Sequence, residues 1–267
     1  MHASREIAAM VQALLRGCLE LITQATCPLC GRPAEPESWR GRDQPQPCQA
    51  CRQSLELETQ PGLCGLEPMP WWALGLYQGA LRSLLLRQRR EPNSQAIPCL
   101  ARSLAITLPA PLRELSVVAI PSWKRRANPL PLLICQGLGL PRLALLERSR
   151  ATLGQHHLNR RLRALNQEGA FRVVPGGVSR SRRSRQGLLL VDDILTTGAT
   201  AMAAAAALED AGYPVLGLLC LARTPAPGRE LRSCGAAERP AGIAQLVEQA
   251  TENRRVPSSN LGPGILS

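Results

Sequence analysis

The sequence predicts an α/β fold, a doubly wound parallel sheet preceded by a small cysteine-bearing ribbon. Three observations carry that prediction. Apolar runs of strand length alternate with helical patterns through the middle of the chain, the order that gives parallel strands joined by crossover helices. Leu188-Leu189-Leu190-Val191 reads as a strand buried on both faces, and it ends in Asp192-Asp193 and a small-residue turn that opens into the helix-forming Ala201 to Leu208. Ahead of all this, Cys27-x-x-Cys30 and Cys48-x-x-Cys51 stand seventeen residues apart. With 267 residues there is room for one full α/β domain and a smaller module. Aromatic content of 3% makes the core aliphatic.

Taken in order, residues 1–26 hold an apolar stretch, Ile7 to Ile22, broken by Arg16 and Glu20 and lacking a small-residue cleavage site. It reads as an amphipathic helix and not as a signal peptide. No run is long enough to span a bilayer, so a cytoplasmic, reducing location is expected. Residues 27–66 form the ribbon. Two Cys-x-x-Cys knuckles at this spacing wrap four sulfurs around one ion, so Cys27, Cys30, Cys48 and Cys51 are expected to hold structural Zn2+. Between them lie Gly31, Pro33, Pro36, Gly41, Pro45 and Pro47, too little apolar material to fold without a staple. Cys18, Cys99, Cys135 and Cys220 sit in apolar surroundings as small buried hydrophobes, and Cys64 is a spare.

Residues 67–228 form the main domain. Met69 to Tyr77 reads as a strand, and Ala80 to Arg90 as a basic amphipathic helix with Leu81, Leu84 and Leu85 on one face. A helix from Ser94 to Leu108 is expected to be interrupted near Pro98. Ser116 to Pro121 is the next buried strand, with an Ile120–Pro121 bond for which cis costs little. Further strands are expected at Arg142 to Leu146 and Phe171 to Val174, with Tyr213 to Leu221 closing the sheet. The polar stretch from Glu147 to Gly169 has the length of a functional lid, and within it His156 and His157 read as surface residues.

The net charge of +12 and pI near 10.0 favour anionic partners: phosphates, nucleic acid or an acidic protein. The excess is almost all arginine, Lys124 being the only lysine, and a GC-rich genome also inflates arginine. The sharper signal is the turn after the acids. Main-chain amides at a helix N-terminus bind anions, threonine hydroxyls donate to phosphate oxygens, and Gly198 allows close approach. The acids cannot hold a phosphate, so they face sugar hydroxyls or a metal. Ser122, Lys124, Arg125 and Arg126 follow another strand and suit a second anionic group.

This thirteen-residue run, Leu188 to Thr200, resembles the 5-phosphoribosyl-1-pyrophosphate (PRPP) motif of type I phosphoribosyltransferases. The resemblance implies that Asp192 and Asp193 take the ribose 2- and 3-hydroxyls as the catalytic acids. Thr196, Thr197, Gly198, Ala199 and Thr200 would cradle the 5-phosphate, and Ser122, Lys124, Arg125 and Arg126 the pyrophosphate. Together with Thr152-x-x-Gln155, Arg163-x-x-Asn166 and Gly169-Ala170-Phe171, the chain from Cys27 to Arg223 resembles the ComF family. These are competence-associated proteins with a zinc ribbon and a phosphoribosyltransferase-like domain. Arg150, Thr152, Gln155, Arg163 and Asn166 would then form a flexible loop over the pyrophosphate. One departure is that Arg126-Ala127-Asn128-Pro129 stands where the family usually has Arg-Gly-Phe-Asn-Gln.

The implied activity is transfer of phosphoribosyl from PRPP, with Mg2+, to a nitrogen acceptor. Two rivals stand beside it: a non-catalytic protein binding single-stranded DNA or competence-machinery partners in DNA uptake, and a PRPP-sensing regulator. Residues 229–267 are expected to be a disordered tail. Gly242 to Gln249 and Arg255 to Gly264 resemble the translation of a tRNA gene, as though the reading frame ran past its stop.

Overall fold

Apolar strands whose residues are buried on both sides build the centre of this computed structural model, which describes residues 26–33, 46–57, 62–122, 128–149, 169–174, 187–225 and 232–233. The elements are α1 (Gln49–Ser54), β1 (Leu63–Gly65), β2 (Trp71–Leu76), α2 (Gly79–Arg90), α3 (Ala96–Thr107), β3 (Ser116–Ala119), α4 (Leu130–Leu138), β4 (Leu146–Arg148), β5 (Phe171–Val173), β6 (Leu188–Leu195), α5 (Ala199–Asp210), β7 (Val215–Arg223) and β8 (Arg232–Ser233). The six-stranded sheet runs β3-β6-β7-β2-β1-β8. Its first four strands are parallel and the last two antiparallel. A separate antiparallel pair, β4 and β5, lies apart. This is a mixed α/β fold with a parallel sheet.

Side chains alternate across a strand, and here the two faces feed two cores. Trp72, Leu74, Val117, Leu189, Val191 and Leu219 pack with α2, α3 and α4. Trp71, Ala73, Val118, Leu190, Leu218 and Cys220 pack with α5, Leu145 and Phe171. The two faces are called here the α2 face and the α5 face. Helices α3 and α4 meet closely at Gly137, where a Cβ would strike the carbonyl oxygen of Pro98. Cys27, Leu29, Cys48 and Leu55 join the first core, so the cysteine knuckles pack directly on α2 and its neighbours.

Several expectations need correction. Pro98 does not break its helix. It is the third residue of α3, in the first turn, where an amide has no intrahelical acceptor to lose. Helix α4, with Pro131 at its start, was not anticipated. Arg142 makes only a bridge to Val117, and the strand proper starts at Leu146. β7 is last of the parallel strands in sequence but lies inside the sheet, between β6 and β2. Ile120–Pro121 is not cis; the cis bond among the described residues is Glu67–Pro68. Arg232–Ser233, within the expected tail, pairs with β1 as the outermost strand. The amphipathic segment, His156, His157 and the tRNA-like stretch lie outside the described residues.

Candidate functional site

The strand ends create a crevice beside β6. β3 pairs with β6 only as far as Val191, with one further bond from the Ile120 N–H to the Val191 carbonyl. β7 continues alongside to Leu195. Asp192 and Asp193 therefore lie inside β6, three and two residues short of its tip, just where one neighbour stops. Crevices of this kind, at the carboxyl ends of parallel strands, are where open α/β sheets bind ligands.

Strand alternation then separates the acids. Asp193 points to the α2 face and is 1% exposed. Its Oδ2 accepts from Arg89 Nε at 2.6 Å and its Oδ1 from Arg89 Nη2 at 2.8 Å, a bidentate pair. Asn128 Nδ2 adds a third bond to Oδ2 at 2.9 Å, while Asn128 Oδ1 accepts the Leu130 N–H at the start of α4. Burial alone would raise Asp193, but the hydrogen bonds and charge of Arg89 outweigh it and hold the carboxyl below its usual range.

Asp192 is on the opposite face and half-buried. Its Oδ1 accepts the Asp193 N–H at 2.8 Å. Burial, and then the adjacent Asp193 charge, push its carboxyl well above the usual range. Arg148 stands on the same side, its guanidinium 4.6 Å from the Phe171 ring centroid and its Nε donating to the Pro121 carbonyl at 3.1 Å. Burial lowers Arg148 from its ordinary value, and the charge of Asp192 opposes that shift. Ser122 lies half-buried just after β3.

Beyond β6, Thr196 is exposed, and Thr197, Ala199 and Thr200 are half-buried. Gly198 caps α5 in the left-handed region, φ +81°, and a Cβ there would also strike the Pro68 ring in the β1–β2 connection. Glycine is needed on both counts. The turn is anchored from below by Arg223, which donates to the carbonyls of Leu195 (3.1 Å) and Thr196 and lies over the Trp71 ring. Arg223 was missed at the sequence level, and Arg89, which on the basic face of the Ala80 to Arg90 helix reads as facing solvent or phosphate, turns instead to Asp193. An arginine closing the apolar run of β7 was a usable signal for the first; nothing local marks the second, 104 residues from its partner. Lys124, Arg125, Arg126, Arg150, Thr152, Gln155, Arg163 and Asn166 lie outside the described residues.

The cysteines form a second candidate centre. The sulfurs of Cys27, Cys30, Cys48 and Cys51 all lie within 4.8 Å of one another and can hold a metal ion. Cys27 to Cys51 is 3.9 Å and Cys30 to Cys48 is 3.7 Å. A tetrahedron of sulfurs about 2.3 Å from zinc has edges of about 3.8 Å, so the set fits that ion. Burial opposes ionisation of Cys27, yet amide donors led by Cys48 bring it down to about 7. Cys99 and Cys135, by contrast, are pushed up to about 12 by burial, as inert core thiols. No helix among the described residues is long and apolar enough to cross a membrane.

No family model matches the chain. It is 31% identical over 233 residues to the DNA utilization protein YhgH of Salmonella typhi, covering 78% of this chain and 88% of that protein. The chain belongs to the YhgH family. The Escherichia coli K12 YhgH is 29% identical over 217 residues, covering 74% of this chain and 84% of its own. Among solved structures, adenine phosphoribosyltransferase of Trypanosoma brucei is similar at 11% identity with a TM-score of 0.34, covering 66% of this chain and 94% of that one. At that score the backbones coincide too little to assign a function to this YhgH relative.

Proposed function

We propose that this protein binds PRPP and, as a phosphoribosyltransferase-like protein of the ComF type, transfers its phosphoribosyl group to a nitrogen acceptor with release of pyrophosphate. The observation carrying this reading is the junction of Asp192, at the end of β3 pairing, with the Thr196–Thr200 turn held open by Gly198 at the start of α5. A sugar acceptor and a phosphate cradle, set side by side on a parallel sheet, suit a phosphorylated pentose.

In this reading Thr196, Thr197, Gly198, Ala199 and Thr200 bind the 5-phosphate through amides and hydroxyls. Asp192 accepts hydrogen bonds from the ribose hydroxyls. Ser122, Lys124, Arg125 and Arg126 meet the pyrophosphate, and Arg150, Thr152, Gln155, Arg163 and Asn166 close over it to exclude water. The C1–O bond to pyrophosphate breaks, a nitrogen lone pair forms the new C1–N bond, and Asp192 offsets the positive charge that builds on the ribose. Mg2+, held through the ligand's own oxygens, would neutralise charge on the leaving group. Structural Zn2+ would sit in the cysteine cluster, where four sulfurs leave no position for a substrate.

Calorimetry with PRPP and Mg2+ tests the reading. Saturable binding is expected, weakened at least tenfold in Asp192→Asn; absence of binding by the wild type overturns it. The second reading, a non-catalytic nucleic-acid or partner-binding protein in DNA uptake, is favoured by the name of the relatives and the basic excess. It predicts steeply salt-dependent single-stranded DNA binding without PRPP affinity. PRPP binding without pyrophosphate release would indicate a regulator.

A further inference from the structure

The two acids of the motif differ in what they can do for a ligand. Asp193 is fully enclosed, with Arg89 across both oxygens and Asn128 on one of them. It has almost no accepting capacity left for a sugar. Asp192 takes a main-chain bond at Oδ1, from the Asp193 amide, where Asp193 takes three from the side chains of Arg89 and Asn128. The two groups are linked in series: Arg89 fixes the Asp193 side chain, and the Asp193 N–H orients the Asp192 carboxylate.

We infer that Arg89 is a positioning residue for Asp192, clamping Asp193 as an anchor behind the sheet so that Asp192 alone presents an oriented carboxylate to the ribose. This rests on the PRPP reading. Three parts of the fold converge on the clamp: α2 brings Arg89, the segment leading into α4 brings Asn128, and β6 brings Asp193. The electrostatic logic agrees. Two adjacent buried carboxylates without a counter-charge share a proton, and the one facing the ligand would lose its charge when it is needed. Arg89 counters that competition: it holds Asp193 ionised, and its own positive charge opposes the rise at Asp192. The groups that bear on Asp192 are Asp193 on its own strand, Arg89 on α2, Arg148 on β4, and Cys220 on β7.

The test is the pH profile of PRPP·Mg2+ binding by calorimetry between pH 5.5 and 9, on the whole protein with its metal. Arg89→Met is expected to bind at least tenfold more weakly at pH 7, with its binding midpoint moved to higher pH. Arg89→Lys, which restores the charge without the fork, should recover part of the shift. Asp193→Asn removes the neighbouring negative charge and should move the midpoint the other way, to lower pH; it decides the matter if Arg89→Met does not fold. Wild-type binding with an unchanged midpoint in the folded variants overturns the clamp and leaves the PRPP reading intact. No wild-type binding at any pH defeats the PRPP reading itself.

Discussion

The cysteine cluster and the acid-bearing segment of β6 both repeat one kind of ligand group, yet they arrange it in opposite ways. In the cluster, thiols three residues apart on each knuckle converge, and residues from both knuckles come within 4.8 Å. In β6, carboxylates adjacent in sequence diverge to the two faces of the sheet, one onto Arg89 and one onto the α5 face beside Cys220. Sequence proximity thus reads differently on a turn and on a strand. A knuckle closes a site completely, whereas an extended strand divides one pair into a structural member and an available member.

The sharpest way to break this comparison is to remove the metal. A strong chelator, or Cys48→Ser, is expected to unfold the knuckles and expose Leu29 and Leu55, because a four-thiolate site contributes folding energy directly. A large fall in thermal midpoint with loss of one bound zinc checks it; an unchanged midpoint in metal-free protein contradicts it. Next in size is Asp193→Ala. It leaves Arg89 and Asn128 without their buried partner and should cost about 1–3 kcal/mol in denaturant unfolding, less than a fully buried pair because the Arg89 side chain is 40% exposed. Asp192→Ala should cost far less, since its charge is already disfavoured by burial. Equal losses would mean that the acids are not divided.

Gly198→Ala is expected to cost about 1–2 kcal/mol from the left-handed backbone, and more if Pro68 cannot move. PRPP binding should fall with it. The smallest effect is on the pH dependence of stability, at most about 1.4 kcal/mol per pH unit for each group. Asp193 is depressed in the folded state, so its contribution is present above its unfolded value, about 3.9, and is lost as pH falls through the folded value. Asp192 is raised, so stability declines as pH rises from about 3.9 through its folded value. Asp193→Asn should flatten the acid limb and Asp192→Asn the other; loss of both limbs in a single variant would show one coupled group.

Much of this was legible in the chain. The strands at Trp71–Leu76, Ser116–Ala119, Leu188–Leu195 and Val215–Arg223 are continuous apolar runs because both faces are covered. Helix α2 declares itself through Leu81, Leu84 and Leu85 on one face. The thiol cluster follows from spacing alone. Strand order was not legible, since no local pattern tells β7 to insert between β6 and β2. Helix α4 was hidden because its exposed positions, such as Leu132, are apolar too and mask the period. The clamp on Asp193 joins residues from different elements, and only the assembled sheet brings them together.

Helix α2 has a consequence for how the molecule tolerates change. Its apolar face shares one core with Cys27, Leu29, Cys48 and Leu55, and its last turn carries Arg89 to Asp193. The thiol centre and the carboxylate crevice are thereby mounted on a common beam. Oxidation of the thiols that tilted this beam would withdraw the guanidinium from a buried anion, so redox damage at one end would be felt as a broken ion pair at the other.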